Sequence, residues 1–184
     1  MTFKRQWDDV LRGEGSGGIQ VVWKQGWGVL QFARSIHGLP LRLADRGFAS
    51  GLGTHADSEI VLRSARPMSH FRAMAGVDDN PHTRENAATT APMIFSVEVG
   101  ERTLWQSPEL GVASRPVPVD LKLPANTREL TLRVAAKGGA ISHAHADWAE
   151  ASVAVGNETV FFNQVFDAPL ASQVAPTLAP FSFL

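Results

Sequence analysis

The segment Met93-Ile-Phe-Ser-Val-Glu-Val-Gly-Glu-Arg-Thr-Leu-Trp-Gln106 alternates with a period of two. Phe95, Val97 and Val99 fall on one face and Ser96 and Glu98 on the other, the pattern of a half-buried strand. Gly100-Glu101 follows as a two-residue turn with glycine first, as a type II′ hairpin prefers. Arg102–Gln106 then returns as the partner strand. On the C-terminal side, Val117–Leu123 sets Val117, Val119, Leu121 and Leu123 against Asp120 and Lys122. Arg128–Ala135 sets Leu130, Leu132 and Val134 against Thr131 and Arg133. Asp147–Val155 closes the series with Ala149, Ala151, Val153 and Val155 on one face, a parity that sends Trp148, Glu150 and Ser152 to the other. Less regular candidates are Ile19–Trp23, Ser58–Leu62 and His70–Val77. Short strands separated by Gly, Pro, Asn and Asp predict an all-β, antiparallel sandwich. The βα alternation of a parallel sheet is missing, and no fixed-period repeat occurs.

The 184 residues suffice for one domain with a real core. At 44% hydrophobic and 19% charged, the chain is not of the disordered class. Its 17 basic and 18 acidic residues give a net charge of −1, without the basic surplus of a nucleic-acid binder. No apolar run approaches the roughly 20 residues of a membrane span, so neither nucleic acid nor membrane insertion is expected. Cysteine is absent, which excludes disulfides, thiolate zinc sites and cysteine nucleophiles. Tyrosine is absent too, leaving Trp, Phe and His for aromatic surface chemistry. Around the body at 19–155, residues 1–18 read as a short helix (Thr2–Leu11) and a Gly-rich connector (Gly13–Gly18). Residues 156–184 read as an extended arm or a linker towards a further domain, with Pro169, Pro176 and Pro180 punctuating an apolar stretch. Met1–Val10 holds no apolar signal-peptide core.

Four places carry groups capable of chemistry. His143-Ala-His145-Ala-Asp147 puts three metal-ligating types on one strand face, similar to the opening of the metallo-β-lactamase motif H-x-H-x-D-H. The sixth position is Trp148, and no histidine follows Asp147, so a plain His-rich loop end is the competing reading. Gly51-Leu-Gly-Thr-His55 predicts a turn or close backbone approach, with His55 either facing a ligand or holding a loop. It lacks the lysine of a phosphate-binding loop. Asp78-Asp79-Asn80-Pro81 is either a cluster of oxygen ligands for Ca²⁺ or a solvated turn. Trp148, placed outward by parity, either stacks on a ligand or is covered by another segment. No G-x-S-x-G elbow occurs, and no carboxylate pair is placed across a scissile bond.

Read in order, these blocks form a recognisable series. They are Gln25-Gly-Trp-Gly28, Ser35-Ile-His-Gly38 with Pro40-Leu41, Arg46-Gly-Phe-Ala-Ser-Gly-Leu-Gly-Thr-His-Ala56, Gly76-Val-Asp-Asp79 and His145-Ala-Asp-Trp-Ala149. The series resembles the NPCBM family, also called carbohydrate-binding module family 51, over Ile19 to Val155. The resemblance implies a galactose-binding-like β-sandwich or jelly roll, usually appended to a bacterial glycoside hydrolase. It also implies a non-catalytic role, recognition of galactose-terminated glycans and, in some members, a structural calcium ion. The carbohydrate-binding candidates it carries over are Trp27, His55, Asp78, Asp79, His145, Asp147 and Trp148, with Glu150 and Asp78 as calcium ligands. Polar groups would grip hydroxyls while an indole covers a C–H face of the ring. The family's D-H-A-D-W reads A-H-A-D-W here, with Ala144 for the first Asp, and Gly138-Gly139 replaces acidic and Asn residues in the preceding loop. The implied partners are a galactose-containing glycan and a catalytic domain of the same polypeptide, α-galactosidase-like, at an extracellular or periplasmic location. The alternative is a sandwich that braces a neighbouring catalytic domain without binding sugar.

Overall fold

The computed structural model describes residues 13–14 and 18–162, so the expected helix Thr2–Leu11 and the arm from 163 onward lie outside the described residues. The strands are β1 (Gly13–Glu14), β2 (Ile19–Gln25), β3 (Gln31–Phe32), β4 (Leu41–Leu43), β5 (Arg46–Phe48), β6 (Gly51–His55), β7 (Ser58–Ser64) and β8 (Met68–Val77). After a five-residue helix α1 (Pro81–Glu85) come β9 (Met93–Val99), β10 (Arg102–Gln106), β11 (Val117–Lys122), β12 (Glu129–Ala136), β13 (His145–Val155) and β14 (Glu158–Phe161). One sheet runs β1-β2-β7-β12-β9-β10; the other runs β11-β8-β13-β6-β3, with β14 added to β13. Every pairing is antiparallel, and β4–β5 is a separate hairpin. No helix among the described residues is long and apolar enough to cross a membrane.

The all-β sandwich expected from the alternation is what forms. At the β9–β10 turn Gly100 takes a φ of +59° while Glu101 stays negative, the combination a type II′ turn needs. Phe95, Val97, Leu130, Leu132, Ile60 and Leu62 of the first sheet are fully buried against Phe71, Leu52, Trp148 and Val153 of the second. Each such side chain contributes about 1.5–3 kcal/mol by leaving water. Two strands extend the sandwich beyond the expected body. Gly13–Glu14, inside the Gly-rich connector, pairs with β2, and Glu158–Phe161 pairs with β13.

The informative irregularity is in β13. Ala144, Ala146 and Trp148 point into the core, and so do Ala151, Val153 and Val155. Two residues, Ala149 and Glu150, therefore separate two inward positions. The register against β8 shifts here, and Glu150 has a φ of +51°. This is a β-bulge. It corrects the parity read from the sequence: counting back from Val155 crosses the extra residue and turns Trp148 the wrong way. The side chain is fully buried, with its ring 5.2 Å from Phe95, 6.2 Å from Phe71 and 6.3 Å from Trp105. Before the bulge β13 pairs with β6, and after it with β14.

The outer face of the second sheet is also closed along this half. Leu41 and Leu43 of β4 and Phe48 of β5 pack on Ala149 and Met74 in a second small core. This explains why every residue of Gly51–His55 is buried. It also demands close backbone approach, as the glycines suggested. A Cβ on Gly53 would lie 2.2 Å from the Arg34 carbonyl oxygen, and one on Gly51 would lie 2.3 Å from that of Trp148.

Candidate functional site

His145 and His55 sit opposite each other on β13 and β6, on the outer face, where the hairpin cover ends. Four connections converge on them. The β2–β3 loop brings Trp27, the β3–β4 loop His37, α1 His82 and the β12–β13 loop His143. Together with Gly26, Ile141 and Ser142 they line a pocket of about 340 Å³. Five of the six histidines in the chain are therefore in one place. Trp27 is 54% exposed and its indole lies 5.6 Å from the His37 ring and 5.7 Å from that of His55. Gln25 fixes this loop: its Nε2 donates to the Trp27 carbonyl at 2.8 Å while its Oε1 accepts from Thr54 Oγ1 at 2.8 Å.

The rings hold defined tautomers. His55 Nδ1–H donates to the Ala56 carbonyl at 2.5 Å, leaving Nε2 as an acceptor. Thr83 Oγ1 donates to Asp78 Oδ2 at 3.3 Å, so it accepts from His145 Nδ1–H at 2.9 Å. His145 Nε2 then keeps its lone pair and faces His37 Nε2 at 3.3 Å. Burial, with the surrounding imidazoles His37, His55, His82 and His143, pushes His145 down to about 3. Burial also lowers His37 and His55, with neighbouring imidazoles adding to the effect. The pocket thus presents neutral, dual-character hydrogen-bonding groups around one exposed indole.

A stability consequence follows. Between the unfolded value of 6.5 and the folded value of about 3, the unfolded chain binds a proton at His145 that the folded chain does not. The contribution is complete above pH 6.5 and is lost as pH falls towards 3. Moving from pH 7 to pH 4.5 in chelator-treated buffer should therefore lower the Tm of the parent chain more than that of His145→Gln. Asp78 and Asp147, which titrate in the opposite sense, are common to both. Equal losses in the two proteins would contradict a neutral His145.

The acidic candidates do not reach the pocket. Asp147 is fully buried beneath it, beside Asp78. Burial raises Asp147 well above the ordinary carboxylate range, and the Asp78 charge raises it further. Burial likewise lifts Asp78 to about 6, against hydrogen bonds from Asn80 and Thr83. Asp78 steadies His145 through Thr83. Asp79 is a clamp: it accepts from Arg84 Nε at 2.8 Å and from the Asp45 backbone N–H at 2.8 Å, tying α1 to the β4–β5 hairpin. Trp148, sealed in the core, offers no stacking surface. Of the seven candidates, Trp27, His55 and His145 line the pocket, whereas Asp78, Asp79, Asp147 and Trp148 support it from below.

The metal candidates also change. His143, His145 and Asp147 do not converge, because Asp147 lies under the floor. His145 is instead grouped with His37 and His82, whose ligand nitrogens all lie within 4.8 Å of one another. Asp78 and Glu150 do not fit a shared calcium ion. Asp78 N–H bonds the His145 carbonyl, and Glu150 is five residues further along β13, ~16 Å at strand rise. The Glu150 carboxylate instead approaches Arg46 at 3.5 Å. His37 and His82 were missed because the β3–β4 loop and the five-residue α1 that carry them give no periodic signal; the only hint was the excess of histidines in the recognised blocks. A larger groove of about 920 Å³ lies past the bulge, but its ionic groups are already paired, Asp120 with His70 and Arg72 and Glu150 with Arg46 outside it.

Comparison with known proteins identifies the family. The model of the NPCBM/NEW2 domain matches residues 20–154. This chain belongs to the NPCBM family. As an NPCBM domain it is a binding module and not a catalytic one. A Renibacterium salmoninarum protein named for endo-alpha-N-acetylgalactosaminidase activity is 32% identical over 116 residues. The match covers 62% of this chain, which spans only 7% of that relative's length. The CBM51 of Clostridium perfringens GH95, solved in complex with methyl-galactose, superposes with a TM-score of 0.63 at 24% identity, covering 72% of this chain and 92% of that one. A Clostridium perfringens ZmpB structure, of CBM51-2 in complex with GlcNAc together with INT domains, gives a TM-score of 0.62 at 25% identity, covering 70% of this chain and 28% of that one.

Proposed function

We propose that this NPCBM domain grips the terminal sugar of a galactose-type glycan in the pocket framed by Trp27, His37, His55 and His145. The carrying observation is an exposed indole set against neutral imidazoles on a rigid strand end. A pocket of about 340 Å³ is at the small end for ligand sites and suits one sugar ring. The axial 4-hydroxyl of galactose leaves one ring face as an unbroken C–H patch, which favours stacking on Trp27. Neutral imidazoles then meet hydroxyls as donors or acceptors without a charge-desolvation cost. The relative named for endo-alpha-N-acetylgalactosaminidase activity and the methyl-galactose complex support this sugar class.

Binding of one ring is weak by itself, so the module gains its effect by raising the local concentration of a tethered enzyme. We read it as an accessory module of a glycoside hydrolase acting on α-linked galactose-type sugars, in a bacterium and outside the cell, where such glycans are met. The test is calorimetric titration with methyl-galactose, N-acetylgalactosamine and GlcNAc. Saturable binding is expected, strongest for a galactose-configured sugar. Trp27→Ala should weaken it about thirtyfold, the ~2 kcal/mol of a truncated aromatic anchor, with little change in Tm. Absence of binding at ten-millimolar sugar would favour the bracing role instead.

A further inference from the structure

We propose that His37, His82 and His145 form a binding site for a single divalent transition-metal ion of the zinc class, at the wall of the pocket. The inference goes beyond sugar recognition and does not rest on it. Two ligands of a tetrahedral zinc at ~2.05 Å stand ~3.3 Å apart. His37 Nε2 and His145 Nε2 are 3.3 Å apart. The three imidazoles offer one nitrogen each within a 4.8 Å span. His82 stands exposed on the short α1, so its side chain is not held by packing around it.

The buried ligand is already oriented for a metal. His145 is buried and its Nδ1–H is taken by Thr83 Oγ1 at 2.9 Å, which in turn donates to Asp78 at 3.3 Å. Metal-bound histidines commonly make this kind of outer contact, which fixes the tautomer and aims the other nitrogen. The same turn of α1 supplies both the ligand His82 and the support Thr83. The donor set is three nitrogens, with no carboxylate grouped with them among the described residues, so it selects zinc, copper, nickel or cobalt over calcium or magnesium. All three imidazoles line the pocket, so water or a ligand hydroxyl could reach a bound ion and complete its coordination.

The experiment uses the full chain without a polyhistidine tag, stripped with chelator and titrated with Zn²⁺ alone. One ion per chain with a Kd of roughly 10 μM or tighter is expected. His82→Ala and His37→Ala, both at exposed positions, should each weaken binding at least tenfold, and His70→Ala, in the other groove, should not. Co²⁺ loading should give intense visible bands of a four- or five-coordinate ion, lost in His82→Ala. No saturable binding, or a loss smaller than tenfold in either variant, overturns the proposal. Because no sugar is present, this result is independent of the glycan titration.

Discussion

Trp148→Ala is expected to cost about 3–5 kcal/mol of folding stability, against a total of ~5–15 kcal/mol for a domain of this kind. The indole is fully buried between the sheets, edge-on to Phe95, Phe71 and Trp105. Truncation would leave a cavity walled by both sheets, which backbone tied on either side cannot collapse. The diagnostic comparison is Trp148→Phe. Among the described residues the indole Nε1–H has no hydrogen-bond partner, so replacing it forfeits packing volume and no polar contact there. Phe, which keeps most of the ring volume, should cost clearly less than Ala and should leave sugar affinity intact, since residue 148 faces away from the pocket. Urea denaturation of the three proteins measures both differences. A loss of affinity in Trp148→Phe with stability preserved would return Trp148 to the binding surface and contradict the bulge.

Gly53→Ala should cost about 3 kcal/mol. The new methyl would fall 2.2 Å from the Arg34 carbonyl oxygen and 2.7 Å from Ser35 Cα, both backbone atoms that cannot rotate away. Relief requires the chain at Arg34–Ser35 to lift off β6. That displacement breaks the Gln31↔Gly53 pairing and moves His37, two residues beyond Ser35. The variant should therefore lose sugar binding as well as Tm, although residue 53 touches no ligand. Retention of affinity in a destabilised Gly53→Ala would show that His37 is placed independently of this approach.

The strands with clean alternation were legible in advance because period two is a local property. Met93–Val99, Arg102–Gln106 and Leu130-x-Leu132-x-Val134 needed no tertiary information. His55 and His145 were singled out because their blocks stood out, and both line the pocket. Trp148 was misread for a specific reason. A bulge with Glu150 at a φ of +51° breaks the count, and glutamate, unlike Gly or Asn, gives no warning of a left-handed backbone. Asp78, Asp79 and Asp147 read as ligands because an acidic cluster looks solvated until a cover is known. The cover is the Leu41–Phe48 hairpin, whose seating on Ala149 and Met74 is a long-range fact. His37 and His82 share this property: what brings them into the pocket is which connections meet, and no window of sequence holds that.

The extra residue at 149–150 works as a phase shifter within a single strand. Upstream of it, odd-numbered side chains line the pocket or support it from below; downstream, odd-numbered side chains serve the interior. A one-residue deletion there would force either the indole or the Ala151–Val155 row into water, so this stretch of chain cannot change length. The connections bearing Trp27, His37, His82 and His143 carry no such constraint. Half of the pocket is frozen by strand arithmetic and half is free to vary, so a change of preferred glycan would come through the loops while β13 stays as it is.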